Sequence, residues 1–297
     1  MTSANMPTAD DEAAAARRDP AAAGTLSGRR RALLNTALVV GFTVVMLVVN
    51  SVAATFSNPV VALVAGPLLA VLVLAAYRIA GGRIEGREVT ELSATRRRSE
   101  LWRGVAGGFG LATVTIALLA LVGGYRVTGW GSVSGALTVL GTMCAVAVTE
   151  EVLFRGIVLR LLQRRWGSGV ALAASAVLFG LVHLTNPGAT LAGAVAVAVE
   201  AGLMLGAAFL LTRRLWLPIG LHLGWNVTTV AIFGTVGSGS ATSGSIVRSV
   251  GAGPDWLSGG SFGPEASVVA VVVCTFATVI LLTAGRRGRT AGARVAR

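Results

Sequence analysis

Residues 133–160 read VSGALTVLGTMCAVAVTEEVLFRGIVLR. The stretch is long and apolar, yet Glu150, Glu151 and Arg155 stand within it. As a helix rising 1.5 Å per residue it is more than long enough for a ~30 Å hydrocarbon core, so it is tilted or runs past the interface. Charges in such a helix are costly, and they persist mostly where they pair with one another or do chemistry. This segment therefore predicts both a membrane span and a buried site.

The rest of the chain agrees. Its 297 residues are 54% hydrophobic and 13% charged, with a mean hydropathy of +0.75. A soluble domain has no use for that much apolar surface, whereas a polytopic membrane protein does. The formal charge of +12 comes from 25 arginines with no lysine. These arginines cluster between apolar segments, which points to lipid headgroups and membrane lipid as a partner, and away from nucleic acid. Cys144 and Cys274 lie in apolar runs without metal-ligand spacing and read as small hydrophobes.

The expected fold is all-α, a polytopic membrane bundle of about eight transmembrane helices. Residues 1–28 read as a disordered cytoplasmic tail. The apolar run after Arg29-Arg30-Arg31 is too long for a signal-peptide core. Apolar segments follow at roughly 33–55, 59–80, 104–124, 133–160, 168–185, 190–212, 216–236 and 267–284. An even count with the N-terminus inside places both termini in the cytoplasm. Arg83, Arg87, Arg96, Arg97, Arg98, Arg103, Arg164, Arg165, Arg213 and Arg214 then all face inward, as do Arg286 to Arg297 in the tail. Only Arg126 and Arg248 face outward, which satisfies the positive-inside rule. The chain divides into the tail, helices one to three (29–132), a core of helices four to seven (133–236), a flexible Gly/Ser-rich loop (237–266), and a last helix with a basic tail (267–297). No internal repeat is visible.

Both histidines of the chain fall in apolar segments. Glu151 and Arg155, four apart, share a helix face and can pair, while Glu150 points about 100° away. Phe179 and His183 share a face, so the ring can wall the imidazole. His222 and Asn226 also lie one turn apart and could supply donors for a developing negative charge. Each motif alone could be interhelical glue. Together they gather every histidine of the chain beside a carboxylate pair. Glu200, in mid-segment without an evident charged partner, could support the site or merely bond a hydroxyl. Rise per residue leaves His222, Glu150 and His183 about 9, 15 and 22 Å from their cytoplasmic helix ends, so tilt or an earlier helix start must bring them level.

The order Glu-Glu-x-x-x-Arg, Phe-x-x-x-His, His-x-x-x-Asn, each on its own membrane helix, resembles the CPBP family. That family comprises type II CAAX prenyl endopeptidases and bacteriocin-processing or immunity proteins, and is also called the Abi family. The resemblance covers roughly 140–230, and Leu215–Ile219 and Phe262–Glu265 look similar too. It implies an intramembrane endopeptidase, a hydrolase of the bacterial plasma membrane acting on a CAAX-like, leader-peptide or membrane-protein substrate. Carried over, Glu150 and His183 would activate a water. His222 and Asn226 would hold the oxyanion, and Glu151 with Arg155 would orient the site. Family members are often labelled metalloproteases, and Glu150, His183 and His222 could ligate Zn²⁺, although a Glu/His dyad can activate water without metal. A non-catalytic immunity or scaffold protein of the same fold is an alternative. A proton-coupled transporter is another, disfavoured by the missing repeats.

Overall fold

A computed structural model describes residues 28–240, 242 and 244–295, with side chains to Arg287. The expected tail, apart from Gly28, lies outside the described residues. Two compact units divide the chain, Met1–Ala37 and Leu38–Arg297. Residues 28–37 of the first begin helix α1, and the second holds the bundle.

The helices are α1 (Gly28–Ala54), α2 (Pro59–Arg83), α3 (Arg97–Leu121), α4 (Val133–Glu151), α5 (Arg160–Val182), α6 (Leu191–Val197), α7 (Leu203–Thr212), α8 (Trp216–Asn226), the short α9 (Asp255–Ser258) and α10 (Val268–Val295). Starts follow local chemistry. Asn58 caps α2 by accepting from Val60 and Val61 amides at 2.9 and 3.2 Å, with Pro59 in the first turn. Ser132 and Thr190 cap α4 and α6 in the same way.

Among the described residues, six helices are long and apolar enough to cross a bilayer, where eight apolar segments were expected. Two features account for the difference. The fourth and fifth segments form one helical stretch, Val133–Thr185, broken at Gly167, whose φ of 74° and ψ of 176° only glycine adopts readily. The seventh is short, because α8 has 11 residues and continues only through a π-helical turn at Val227–Ile232. The bundle is apolar outside and buries charged groups within an otherwise apolar core. Val64, Val71, Val272 and Phe276 are exposed on it, while Glu151, Arg155 and Glu200 are fully buried. Such an inversion fits lipid as the surrounding solvent.

Close backbone approach sets the packing of the site-bearing helices. A Cβ added at Gly108 would run into the Leu221 carbonyl, one at Gly224 into that of Val105, and one at Gly220 into that of Leu101. Gly104-x-x-x-Gly108 on α3 and Gly220-x-x-x-Gly224 on α8 thus face each other as reciprocal small-residue seams. Gly66 and Gly141 join α2 to α4 similarly.

Outside the helices, β1 (Tyr125–Trp130) and β2 (Val247–Gly251) pair antiparallel, Tyr125 opposite Gly251 and Trp130 opposite Val247. The stretch 237–266, expected as a flexible loop, thus contains β2, α9 and tight turns at Gly260–Phe262 and Pro264–Ala266. Its anchors are long-range: Phe262 is buried against Gly193, and the Gly239 and Gly188 backbones bond at 2.9 Å.

Candidate active site

Three π-helical turns interrupt the core helices, at Val152–Leu159 between α4 and α5, at Ala198–Gly202 between α6 and α7, and at Val227–Ile232 after α8. A π turn strands backbone carbonyls, which out of water must find other donors. The Gly156 carbonyl takes the Tyr77 hydroxyl and Arg160 Nε, each at 2.7 Å. The Phe154 carbonyl takes Ser175 Oγ at 3.1 Å. The carbonyls of Ala201 and Gly202 both take Arg155 Nη2 at 3.2 Å. The catalytic-looking charges are therefore built into the repair of the irregular backbone.

Glu151 and Arg155 form the expected pair, Oε1 to Nη1 at 2.7 Å, with both side chains 0% exposed. The same Glu151 oxygen lies 3.0 Å from His222 Nδ1. On its other side, His222 Nε2 is 3.8 Å from Glu150 Oε2. The imidazole therefore sits between the two carboxylates, which diverge because consecutive helical residues point about 100° apart. Glu150 Oε1 accepts from Asn50 Nδ2 at 3.1 Å, and Oε2 has no hydrogen-bond partner among the described residues.

Phe179 organises the opposite wall. Its ring lies 4.7 Å from that of His183, 6.1 Å from that of His222 and 4.5 Å from the Arg155 guanidinium carbon. His183 Nδ1 lies 2.7 Å from the Phe179 carbonyl, which can only accept. Nδ1 is therefore the donor, and in the neutral ring Nε2 keeps its lone pair. His183 ends α5, and the depth mismatch feared from helix rise is absent. Glu150, His183, His222 and Asn226 line one cavity of about 560 Å³.

The direct contacts among these side chains are as follows. The imidazole facing Glu150 is that of His222, and His183 has no hydrogen bond to either glutamate among the described residues. Asn226 does not bond His222, and its amide approaches Met143 Sδ at 3.5 Å. The zinc set Glu150, His183 and His222 does not fit. No three His, Cys, Asp or Glu side chains among the described residues are disposed to hold a metal ion. Instead, His222 Nε2 faces Glu150 Oε2 at 3.8 Å, and the His183 ring is fixed by the contact of its Nδ1 with the Phe179 carbonyl. Two members were missed. Asn50 is a lone amide in an apolar run, a signal that was available. Glu265, 3% exposed, also lines the cavity; its stretch Phe262–Glu265 was noted for its resemblance, but no role was assigned to the carboxylate.

Residues 131–228 match the family model described as type II CAAX prenyl endopeptidase Rce1-like. The match spans α4 to α8, the elements that carry Glu150, Glu151, Arg155, His183, His222 and Asn226. It supports a CPBP family protease, CAAX-type and intramembrane in kind, in an integral multi-pass membrane protein. No curated protein and no solved structure matches the chain.

Proposed function

We propose that this chain, a CPBP-type protease by its Rce1-like domain, hydrolyses a peptide bond of a membrane-associated substrate with a water activated by Glu150 and His183. The observation that carries this reading is the buried array in which Glu150 and His222 line a cavity inside an apolar bundle and Glu151 and Arg155 stand behind His222. Structural glue would need one ion pair. A second carboxylate with an open oxygen is what a general base requires.

Glu150 offers Oε2 and His183 offers Nε2, both acceptors for a water between them. Glu150 takes the proton as the water oxygen attacks the scissile carbonyl carbon. Glu150 and Glu151 bring two negative charges and Arg155 one positive, so a protonated His222 balances the set. Its Nε2–H and the Asn226 amide then serve as donors to the oxyanion. Glu150 returns the proton to the leaving amine as the C–N bond breaks, yielding a new carboxylic acid and a free amine, and the acid then passes its remaining proton to the amine or to solvent. Substrates are CAAX-like tails, leader peptides or segments of membrane proteins. The chain works in a bacterial plasma membrane with both termini in the cytoplasm.

The test is cleavage of a pool of membrane-anchored peptides by wild type and Glu150→Gln in liposomes, read by mass spectrometry. Fragments produced only by wild type support the reading. Equal fragments from both proteins remove Glu150 from the chemistry.

A further inference from the structure

Glu200 has no part in the hydrolytic scheme, yet it is wholly buried and lines the same cavity as Glu150. The π turn Ala198–Gly202 carries it inward. Its Oε1 is met by the Cys274 thiol at 3.5 Å, and its Oε2 has no hydrogen-bond partner among the described residues. Glu265 approaches from the turn Pro264–Ala266 and lines that cavity too. Its Oε1 accepts from Trp225 Nε1 at 2.9 Å, and its Oε2 from the Ser238 hydroxyl. Neither glutamate makes an ion pair among the described residues.

The ionisable groups of the cavity wall around Glu200 are acidic. Its described lining holds Glu150, Glu200 and Glu265, the two histidines and no arginine, in a chain with 25 arginines. A carboxylate taken out of water is costly unless a cation or several donors meet it. Glu265 has two neutral donors, and no cation meets Glu200 among the described residues. A ligand that brings a positive charge pairs with both carboxylates, whereas an uncharged peptide offers them hydrogen bonds alone.

We propose that Glu200 and Glu265 form a cation-recognising subsite, which takes a guanidinium or alkylammonium group of the peptide held in the cavity. Cleavage is thereby directed to segments with a positive group near the scissile bond. The proposal rests on the peptidase reading, although binding at this subsite does not need Glu150 to react.

The test uses the full chain in nanodiscs and lipid-anchored fluorescent peptides of a neutral alanine–leucine host. Arginine or citrulline is stepped through each position, with the amino terminus free or acetylated. Binding is followed by fluorescence polarisation and cleavage by mass spectrometry. At one or two adjacent positions the arginine peptide should bind wild type at least about tenfold more tightly than its citrulline twin. Glu200→Gln and Glu265→Gln should each remove most of that preference and leave citrulline binding unchanged, while Glu150→Gln keeps it. Equal affinities in wild type at every position, no binding of either peptide, or a preference that both glutamine variants retain overturns it. A preference without cleavage leaves the subsite standing and sinks the peptidase reading. Cleavage without a preference does the reverse.

Discussion

Arg155 concentrates the energetics of single residues. Fully buried, it pairs with Glu151, holds two stranded carbonyls and stacks on Phe179. Removing one partner of a buried pair leaves the other charge uncompensated, so Arg155→Met should cost about 3–5 kcal/mol of stability. Unfolding in detergent would register this as a large drop in midpoint, and a midpoint equal to wild type would contradict it. Replacing both partners (Glu151→Gln with Arg155→Met) should recover much of the stability without recovering activity, because His222 then loses its carboxylate. Glu85 offers a titration outside the membrane. Burial pushes its carboxyl up, but hydrogen bonds from Arg160 and Arg87 prevail and hold it below the usual range. A depressed folded pKa stabilises above the unfolded value and is lost as pH falls through the folded one. Wild type should therefore exceed Glu85→Gln in melting temperature at neutral pH, with the gap closing below about pH 4.3. A gap that stays constant into acid would show that the Glu85 contacts are not ionic.

Helix α8, at the scale of elements, holds His222 by its glycine seam. Gly220→Val or Gly108→Val drives a side chain into the facing backbone, which should cost about 1–3 kcal/mol and pull His222 away from Glu151. Activity should fall more steeply than stability; an active, stable Gly220→Val variant would refute the seam. The sequence showed these helices because apolar runs of bilayer length need no tertiary context. It also showed Glu151 with Arg155, since four residues on a helix dictate one face. His222 between two glutamates was not legible, because interhelical partners depend on packing angles that hydropathy does not carry. The three π turns were equally hidden, as no local residue pattern announces an extra backbone residue. The stretch Phe262–Glu265 was noticed, but the place of Glu265 in the cavity was not legible, because the order of its Gly- and Ser-rich surroundings comes from distant anchors such as Phe262 on Gly193. The seams themselves, Gly104-x-x-x-Gly108 and Gly220-x-x-x-Gly224, stood in the sequence unread.

For the molecule as a whole, arginine-rich connections and the β1–β2 ribbon should lie on opposite sides of the bilayer. With Cys144 and Cys274 replaced by alanine, Val127→Cys on the exposed ribbon should label in intact cells with an impermeant maleimide. Arg98→Cys should label only after permeabilisation, and the reverse pattern would invert the topology. A buried charged array between α4, α5 and α8 makes sense in such a molecule if its members act together on one water. The direct measurement is kcat/KM on a cleaved membrane-anchored peptide for wild type, Glu150→Gln, His222→Gln and the double variant. Groups that act as a unit are non-additive, so each single variant should lose at least about a hundredfold and the double little more. Full activity in either single variant, or losses that multiply in the double, would contradict a joint hydrolytic site.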